Sequence, residues 1–168
     1  VSALTTRSKI PFPVKVPFVE RLGLELHSCA HGASEVRVDL TDAHMNSWEV
    51  AHGGVLMTLL DVAMAMAARS QHLDGPGVAT IEMKTSFMRP GEGELRALGK
   101  LLQRTTTLAF CEASVLDADG ALCAHATGTF KYVRALPAKG RALKPLQRTD
   151  NDGDNANASG THNDSDNP

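Results

Sequence analysis

The spacing of apolar positions changes along the chain, and the changes mark out elements. Glu35-Val36-Arg37-Val38-Asp39-Leu40 alternates polar and apolar residues, the period of a half-buried strand. Leu22 to Cys29 is its expected partner strand, with His31-Gly32-Ala33-Ser34 as the turn. Val55 to Ser70 breaks the alternation: it contains no Gly or Pro, is rich in Leu, Met and Ala, and predicts a helix. Its apolar residues fall all round the helix, so burial on most sides is expected. Arg69 sits in the last turn, where a cation suits the helix dipole. The stretch HLDGPG at 72–77 is a turn signal.

Four strands are expected after the helix. They are Val78 to Met88, ending at Arg89-Pro90-Gly91; Glu94 to Leu102; Thr106 to Leu116, leading into Asp117-Ala118-Asp119-Gly120; and Leu122 to Val133. Short turns between successive strands predict a mostly antiparallel sheet. One long apolar helix with five or six strands predicts an α+β domain, a sheet curled around a central helix.

Composition sharpens the boundaries. Asp150 to Pro168 has no Val, Ile, Leu, Met or aromatic residue and cannot bury apolar area to offset chain entropy. The folded domain is therefore expected over 15–133, followed by a flexible tail over 134–168. That tail is basic at first, then Asn/Asp-rich. Aromatics are only 4% of the 168 residues, so the core must come mainly from Leu, Val, Ala and Met. The net charge of −2 argues against a strongly basic nucleic-acid binder. It averages a weakly acidic domain, a basic block over 134–148 and an acidic block over 149–168. The expected role of the basic block is to pair with the acidic one rather than to hold a nucleotide.

Three scattered cysteines without a CxxC motif argue for reduced thiols in a cytoplasmic protein. No secretory signal and no membrane span are expected, since the longest apolar-rich segment, Val55 to Ala68, is short and contains Asp61. No Cys/His cluster has zinc spacing, so neither a metal nor a cofactor is expected.

Candidate chemistry gathers at the helix start. Asn46-Ser47-Trp48-Glu49-Val50-Ala51-His52-Gly53-Gly54 leads into it. Free N–H groups and the positive dipole end concentrate there, and glycine permits close approach of a ligand. A thioester carbonyl set against those donors would be polarised as charge develops on its oxygen. A plain helix-entry turn would give the same Gly-Gly pair. Asp61 is the only acidic side chain between Val55 and Ser70. An ionised carboxylate without a partner is costly to bury, which points to a nucleophile or general base, or else to an Asp that hydrogen-bonds a neighbouring strand or lies on an exposed stripe. Gly53 and Asp61 lie eight residues apart, roughly 12 Å along a helix. One chain cannot easily offer both to one carbonyl, whereas two chains related by a two-fold axis can.

The ordered set Asn46, His52-Gly53-Gly54, Asp61 and Phe87-Met88-Arg89-Pro90-Gly91 resembles the hotdog-fold acyl-CoA thioesterases of the phenylacetate-pathway (PaaI-like) type. The resemblance spans Pro17 to Val133 and includes Arg104-Thr105-Thr106-Thr107-Leu108-Ala109-Phe110. It implies a five- or six-stranded antiparallel sheet around the long helix, in a homodimer or a dimer of dimers. The implied reaction is hydrolysis of an acyl-CoA thioester to a free carboxylic acid and coenzyme A, with aryl-acetyl or medium-chain acyl groups favoured. Asp61 would be base or nucleophile and the Gly53 N–H the oxyanion donor. Asn46 and His52 would orient substrate or water from the subunit opposite Asp61, the other reading of His52 being a side chain that caps or hydrogen-bonds the loop backbone. Thr80 stands where the family often places a hydroxyl that holds the attacking water.

Other residues keep two readings. Gly54 and Trp48 could line the substrate site, Trp48 alternatively being a packing residue. Arg89 and Arg104 could meet the phosphates of coenzyme A, although turn and surface cations are the favoured reading. The rival functions are a non-catalytic acyl-CoA-binding or regulatory hotdog module, and a hotdog hydratase or dehydratase. The latter needs a different His/Asp or His/Glu arrangement.

Overall fold

A six-stranded antiparallel sheet and one long helix form the body of the computed structural model, which describes residues 8–137 and 143–149. A short helix α1 (Pro17–Arg21), without a counterpart among the expected elements, opens on a proline, which suits the first helical position. It precedes the hairpin of β1 (Glu25–Ala30) and β2 (Ala33–Asp39). His31 and Gly32 both have positive φ, at 53° and 79°, so the turn is two residues long and matches the strand twist. The long helix α2 (Gly53–Arg69) comes next, then β3 (Gly77–Phe87), β4 (Glu94–Arg104), β5 (Leu108–Leu116) and β6 (Leu122–Val133).

The sheet order is β1-β2-β4-β5-β6-β3, with every neighbouring pair antiparallel. Although β3 and β4 are consecutive in the chain, they do not pair. β3 lies at the edge against β6, and residues 88–93 carry the chain across the end of the sheet to β4. That crossing matters for the site, because its Gly91 carbonyl holds the loop before α2.

α2 packs against one face of the sheet. Leu59, Leu60, Ala63, Met64 and Ala67 are fully buried against residues such as Val36, Leu95, Val115 and Phe130. The helix sits closest at Gly99 of β4. A Cβ there would fall 2.3 Å from the Ala63 carbonyl oxygen, so only glycine fits. The Ser34 hydroxyl donates to the same oxygen at 2.6 Å.

The helix is buried on most of its sides, as its sequence leads one to expect, and a single stripe is left outward. Gly54, Met57, Thr58, Asp61, Val62 and Ala65 are exposed or half-buried and recur every three or four residues, so they form one outer stripe. The stripe is hard to see in the sequence because Met, Val and Ala count as apolar wherever they point.

The chain beyond Val133 also departs from the expected tail. Ala135–Pro137 (β7) and Leu143–Pro145 (β8) form a hairpin. Leu146 then lies where a Cβ on Gly77 would meet its Cδ1 at 2.9 Å. Arg148 pairs with Val14 and donates to the carbonyls of Asp74 and Gly75 at 2.7 and 2.9 Å. At the other end Ile10 pairs with Leu26, so the ordered chain begins before residue 15. Residues 150–168 of the expected tail lie outside the described residues. Among the described residues, no helix is long and apolar enough to cross a membrane.

Candidate active site

The loop before α2 is built around His44, a buried residue that motif reading missed. The Thr41 backbone N–H donates to His44 Nδ1 at 2.9 Å, which leaves Nε2 as the ring donor, 3.0 Å from the Leu22 carbonyl. The His44 carbonyl accepts from the His52 N–H at 2.8 Å. Between them, Asn46 closes a tight turn: its N–H donates to the Val50 carbonyl at 2.9 Å and its Oδ1 accepts from the Trp48 N–H at 2.8 Å. Glu49 adopts φ 58° inside that turn. The Ala51 N–H is held by the Gly91 carbonyl at 2.9 Å. These bonds fix the point at which α2 begins.

His52 is the N-cap of α2, in extended backbone, and its Nδ1 accepts from the Gly54 N–H at 2.9 Å. The Gly53 N–H has no acceptor among the described residues and lies at the positive end of the helix. The Phe87 ring lies 3.5 Å from where a Gly53 Cβ would be.

Asp61 sits two turns further along. Its Oδ1 accepts from the Thr80 hydroxyl at 2.7 Å. Burial raises the carboxyl above its ordinary pKa, and the Thr80 bond pulls it partly back. A β-bulge between Thr80 and Glu82 makes this geometry possible. Thr80 and Phe87 are an odd number of residues apart, so an unbroken strand would put them on opposite faces. The extra residue restores phase, so that Thr80 meets Asp61 and Phe87 meets Gly53 on one face.

Asp61 also lines a cavity of about 210 Å³ between α2, the N-terminal segment and β3. Thr80 holds one carboxylate oxygen, and the other has no hydrogen-bond partner among the described residues. Such a group can take a proton from water or attack a carbonyl carbon.

The structure thus brings Asp61 and Thr80 together, and separately His52, Gly53 and Gly54. Within one protomer the two groups remain the eight helical residues apart that the sequence implies. Asn46 holds its own loop, and Trp48 is 81% exposed at the loop tip, away from the cavity. Arg89 donates to the Leu122 carbonyl at 3.1 Å. Arg104 stands over the Tyr132 ring, 4.9 Å from its centroid, beside Gln71 at the C-terminal end of α2. Among the described residues no group of three or more His, Cys, Asp or Glu could hold a metal ion.

Sequence reasoning missed His44, although the Thr41-x-x-His44 spacing is that of a capping box. It also missed Phe87 over Gly53, and the burial of Arg69, whose place in the last turn suggests only a cation completing the helix dipole.

Comparison with known proteins finds the thioesterase superfamily model matching residues 49–124. A protein of Halobacterium salinarum provisionally named an esterase is 31% identical over 126 residues, covering 67% of this chain and 82% of its own. A medium/long-chain acyl-CoA thioesterase of Salmonella typhimurium is 24% identical over 135 residues, covering 71% and 87%. A solved structure, a variant of the phenylacetic acid degradation protein PaaI from Thermus thermophilus, superposes with a TM-score of 0.64. It is 28% identical, and the match covers 70% of this chain and all of that one.

Proposed function

We propose, for a chain that belongs to the hotdog-fold thioesterase superfamily, that it hydrolyses acyl-CoA thioesters to a free carboxylic acid and coenzyme A. The observation that carries this reading is Asp61, a carboxylate held by Thr80 in the middle of an otherwise apolar helix and lining an apolar cavity.

In the proposed reaction the thioester carbonyl oxygen rests against the Gly53 N–H of one subunit. That donor and the helix dipole stabilise the charge that develops as the carbonyl becomes tetrahedral. Asp61 of the other subunit attacks the carbonyl carbon or takes a proton from the attacking water. The carbon–sulfur bond breaks and the thiolate of coenzyme A leaves; when Asp61 itself has attacked, water then cleaves the acyl-enzyme. His52 holds the Gly54 N–H and so sets the helix start. Asn46 shapes the loop that delivers it. Arg89 and Arg104 are assigned structural roles, since each is already engaged by the protein.

The proposed assembly is at least a homodimer. β3 is an edge strand of 11 residues with exposed Ile81 and Phe87, followed by exposed Met88. Met57 on the outer stripe of α2 adds to that apolar surface. A long apolar edge calls for a partner strand, and a second copy of the chain supplies one. Three free cysteines, two of them buried, fit a reducing cytoplasm.

The test is release of free thiol from a panel of aryl-acetyl and medium-chain acyl-CoA substrates, comparing wild type with Asp61→Asn. Turnover that depends on Asp61 supports the assignment. Tight acyl-CoA binding without turnover would replace it with a binding module.

A further inference from the structure

The cavity beside Asp61 runs along α2 toward the C-terminal end of the helix. Asp61 and Arg69 both line it, eight residues and so roughly 12 Å apart along the axis. On β3, Thr80 bonds Asp61, and Gly77 lines the cavity three residues earlier, roughly 10 Å away along the strand. Asp61 and Thr80 therefore mark one end, and Arg69 and Gly77 lie toward the other. Between them the wall is apolar: Val62, Ala65 and Met66 from α2, Val14 and Val16 from the N-terminal segment, and Val78 from β3. Two cations also line the cavity, and neither presents its charge to the interior. Lys15 is exposed, so its ammonium stays in water while its stem covers the wall. Arg69 is buried, its Nη2 donates to the Leu73 carbonyl at 2.6 Å, and its Nε and Nη1 have essentially no accessible surface.

Leu146 stands at the far end. It lines the cavity, and its Cδ1 lies 2.9 Å from where a Gly77 Cβ would be. The chain around it is tied down from several sides. The Lys15 N–H donates to the Gln147 carbonyl at 3.1 Å, and the Thr149 hydroxyl donates to the Phe12 carbonyl at 2.6 Å. Arg148 holds the carbonyls of Asp74 and Gly75. Leu146 is thus a fixed stop and not part of a loose tail. It lies beyond residues 49–124, so the part of the chain that the superfamily model matches does not supply this wall. An apolar cavity of about 150 Å³ admits benzene, which in proportion gives this one, at about 210 Å³, room for about eight carbons.

We propose that Leu146 is the end wall of the acyl pocket and sets the longest acyl chain the protein accepts. The assignment rests on the thioesterase reading above for its reaction. The thioester carbonyl lies at Asp61, and the acyl chain runs along α2 of the same subunit toward Leu146. Each methylene added up to the wall buries more apolar area and tightens binding. A chain too long for the pocket meets Leu146 and pushes its carbonyl out of line with Asp61, and a misplaced reacting carbon costs rate. The uncharged wall suits an acyl group that ends in a methyl or a ring.

The test measures kcat/KM across straight-chain thioesters from butanoyl-CoA to hexadecanoyl-CoA for wild type, Leu146→Ala and Leu146→Phe. Wild type should peak near octanoyl-CoA and fall by about tenfold or more at dodecanoyl-CoA. Leu146→Ala should raise the dodecanoyl-to-octanoyl ratio by about tenfold, and Leu146→Phe should move the peak to shorter chains. A loss of stability alone does not shift the profile in opposite directions from one position. The hydrolysis-resistant thioethers S-octyl-CoA and S-dodecyl-CoA give a binding readout, and the ratio of their dissociation constants should shift in the same directions. Equal turnover of octanoyl-CoA and dodecanoyl-CoA by wild type, or a Leu146→Ala profile that superposes on that of wild type, overturns the wall and leaves the thioesterase reading intact. If no thioester is hydrolysed, the thioesterase reading fails, and the thioether constants alone decide the wall. If Leu146→Ala does not fold, the wild-type profile and Leu146→Phe decide it.

Discussion

The Thr80 hydroxyl donates a 2.7 Å hydrogen bond to Asp61 Oδ1, joining the edge strand β3 to the middle of α2. Neither residue is near the other in sequence. The bulge at Ile81 lets Thr80 face the helix while Phe87, further along the same strand, still faces Gly53. Burial raises the proton affinity of the Asp61 carboxyl and the Thr80 bond lowers it, so the charge state is a balance of two neighbours.

Replacing Asp61 by Asn should cut turnover by about 10²- to 10⁴-fold. It should also make the protein more stable at neutral pH. The folded-state pKa of Asp61 lies above the unfolded value, so its stabilising effect is complete only below the unfolded pKa and is lost as pH rises through the folded one. The Asn variant carries no such term. Its melting temperature should exceed that of wild type at pH 7, and the gap should close near pH 3 on this account. A variant less stable than wild type at pH 7 would contradict it.

The acidic limb of the kcat/KM profile should inflect above the ordinary Asp value of 3.8, because the ionised carboxylate is the reactive form. Thr80→Val removes the bond that lowers that pKa. The limb should then move to higher pH, with a smaller loss of rate on the plateau than Asp61→Asn causes. An unmoved limb would detach Thr80 from the ionisation of Asp61.

Gly53→Pro deletes one N–H group at a position that tolerates proline. Gly53 is the first helical residue, and His52 before it is already extended at φ −61° and ψ 137°. The variant should fold and lose about 10²- to 10³-fold in turnover, the cost of one oxyanion donor. Mixing it with Asp61→Asn tests the shared site. Each mixed dimer regains one intact site of two, so random exchange should restore roughly a quarter of wild-type activity. No recovery after verified exchange would place the whole site within one chain.

Deleting residues after 135 should do more than remove a tail. It removes Leu146, which lines the Asp61 cavity, and the Arg148 bonds to Asp74 and Gly75. The expected outcome is a lower melting temperature and a raised KM for acyl-CoA. Deletion after 149 should change neither. Identical behaviour of the two truncations would show that the C-terminal hairpin contributes nothing to the site.

Much of the fold was legible in the chain. Helix α2 and strands β2 to β6 declare themselves because each holds its period over enough residues to outvote single exceptions. Asp61 stood out because an acidic residue in an apolar helix is expensive without a purpose. The turn before α2 was legible through His52-Gly53-Gly54, whereas its anchor, His44, was hidden among polar loop residues. The pairing of β3 with β6 was not legible either, since adjacency in sequence favours β4.

Element type, the position of α2 and the presence of a lone carboxylate on it follow from local patterns, which are properties of short windows of sequence. The side on which that carboxylate emerges does not. Asp61 occupies a stripe whose other members are Gly, Met, Thr, Val and Ala, and no hydropathy scale marks them as outward. The depth of Arg69 and the return of Leu146 are likewise settled by segments far apart in the chain meeting at one cavity. Such contacts depend on which faces are left after the sheet has closed on the helix, and a bulge of one residue is enough to exchange them.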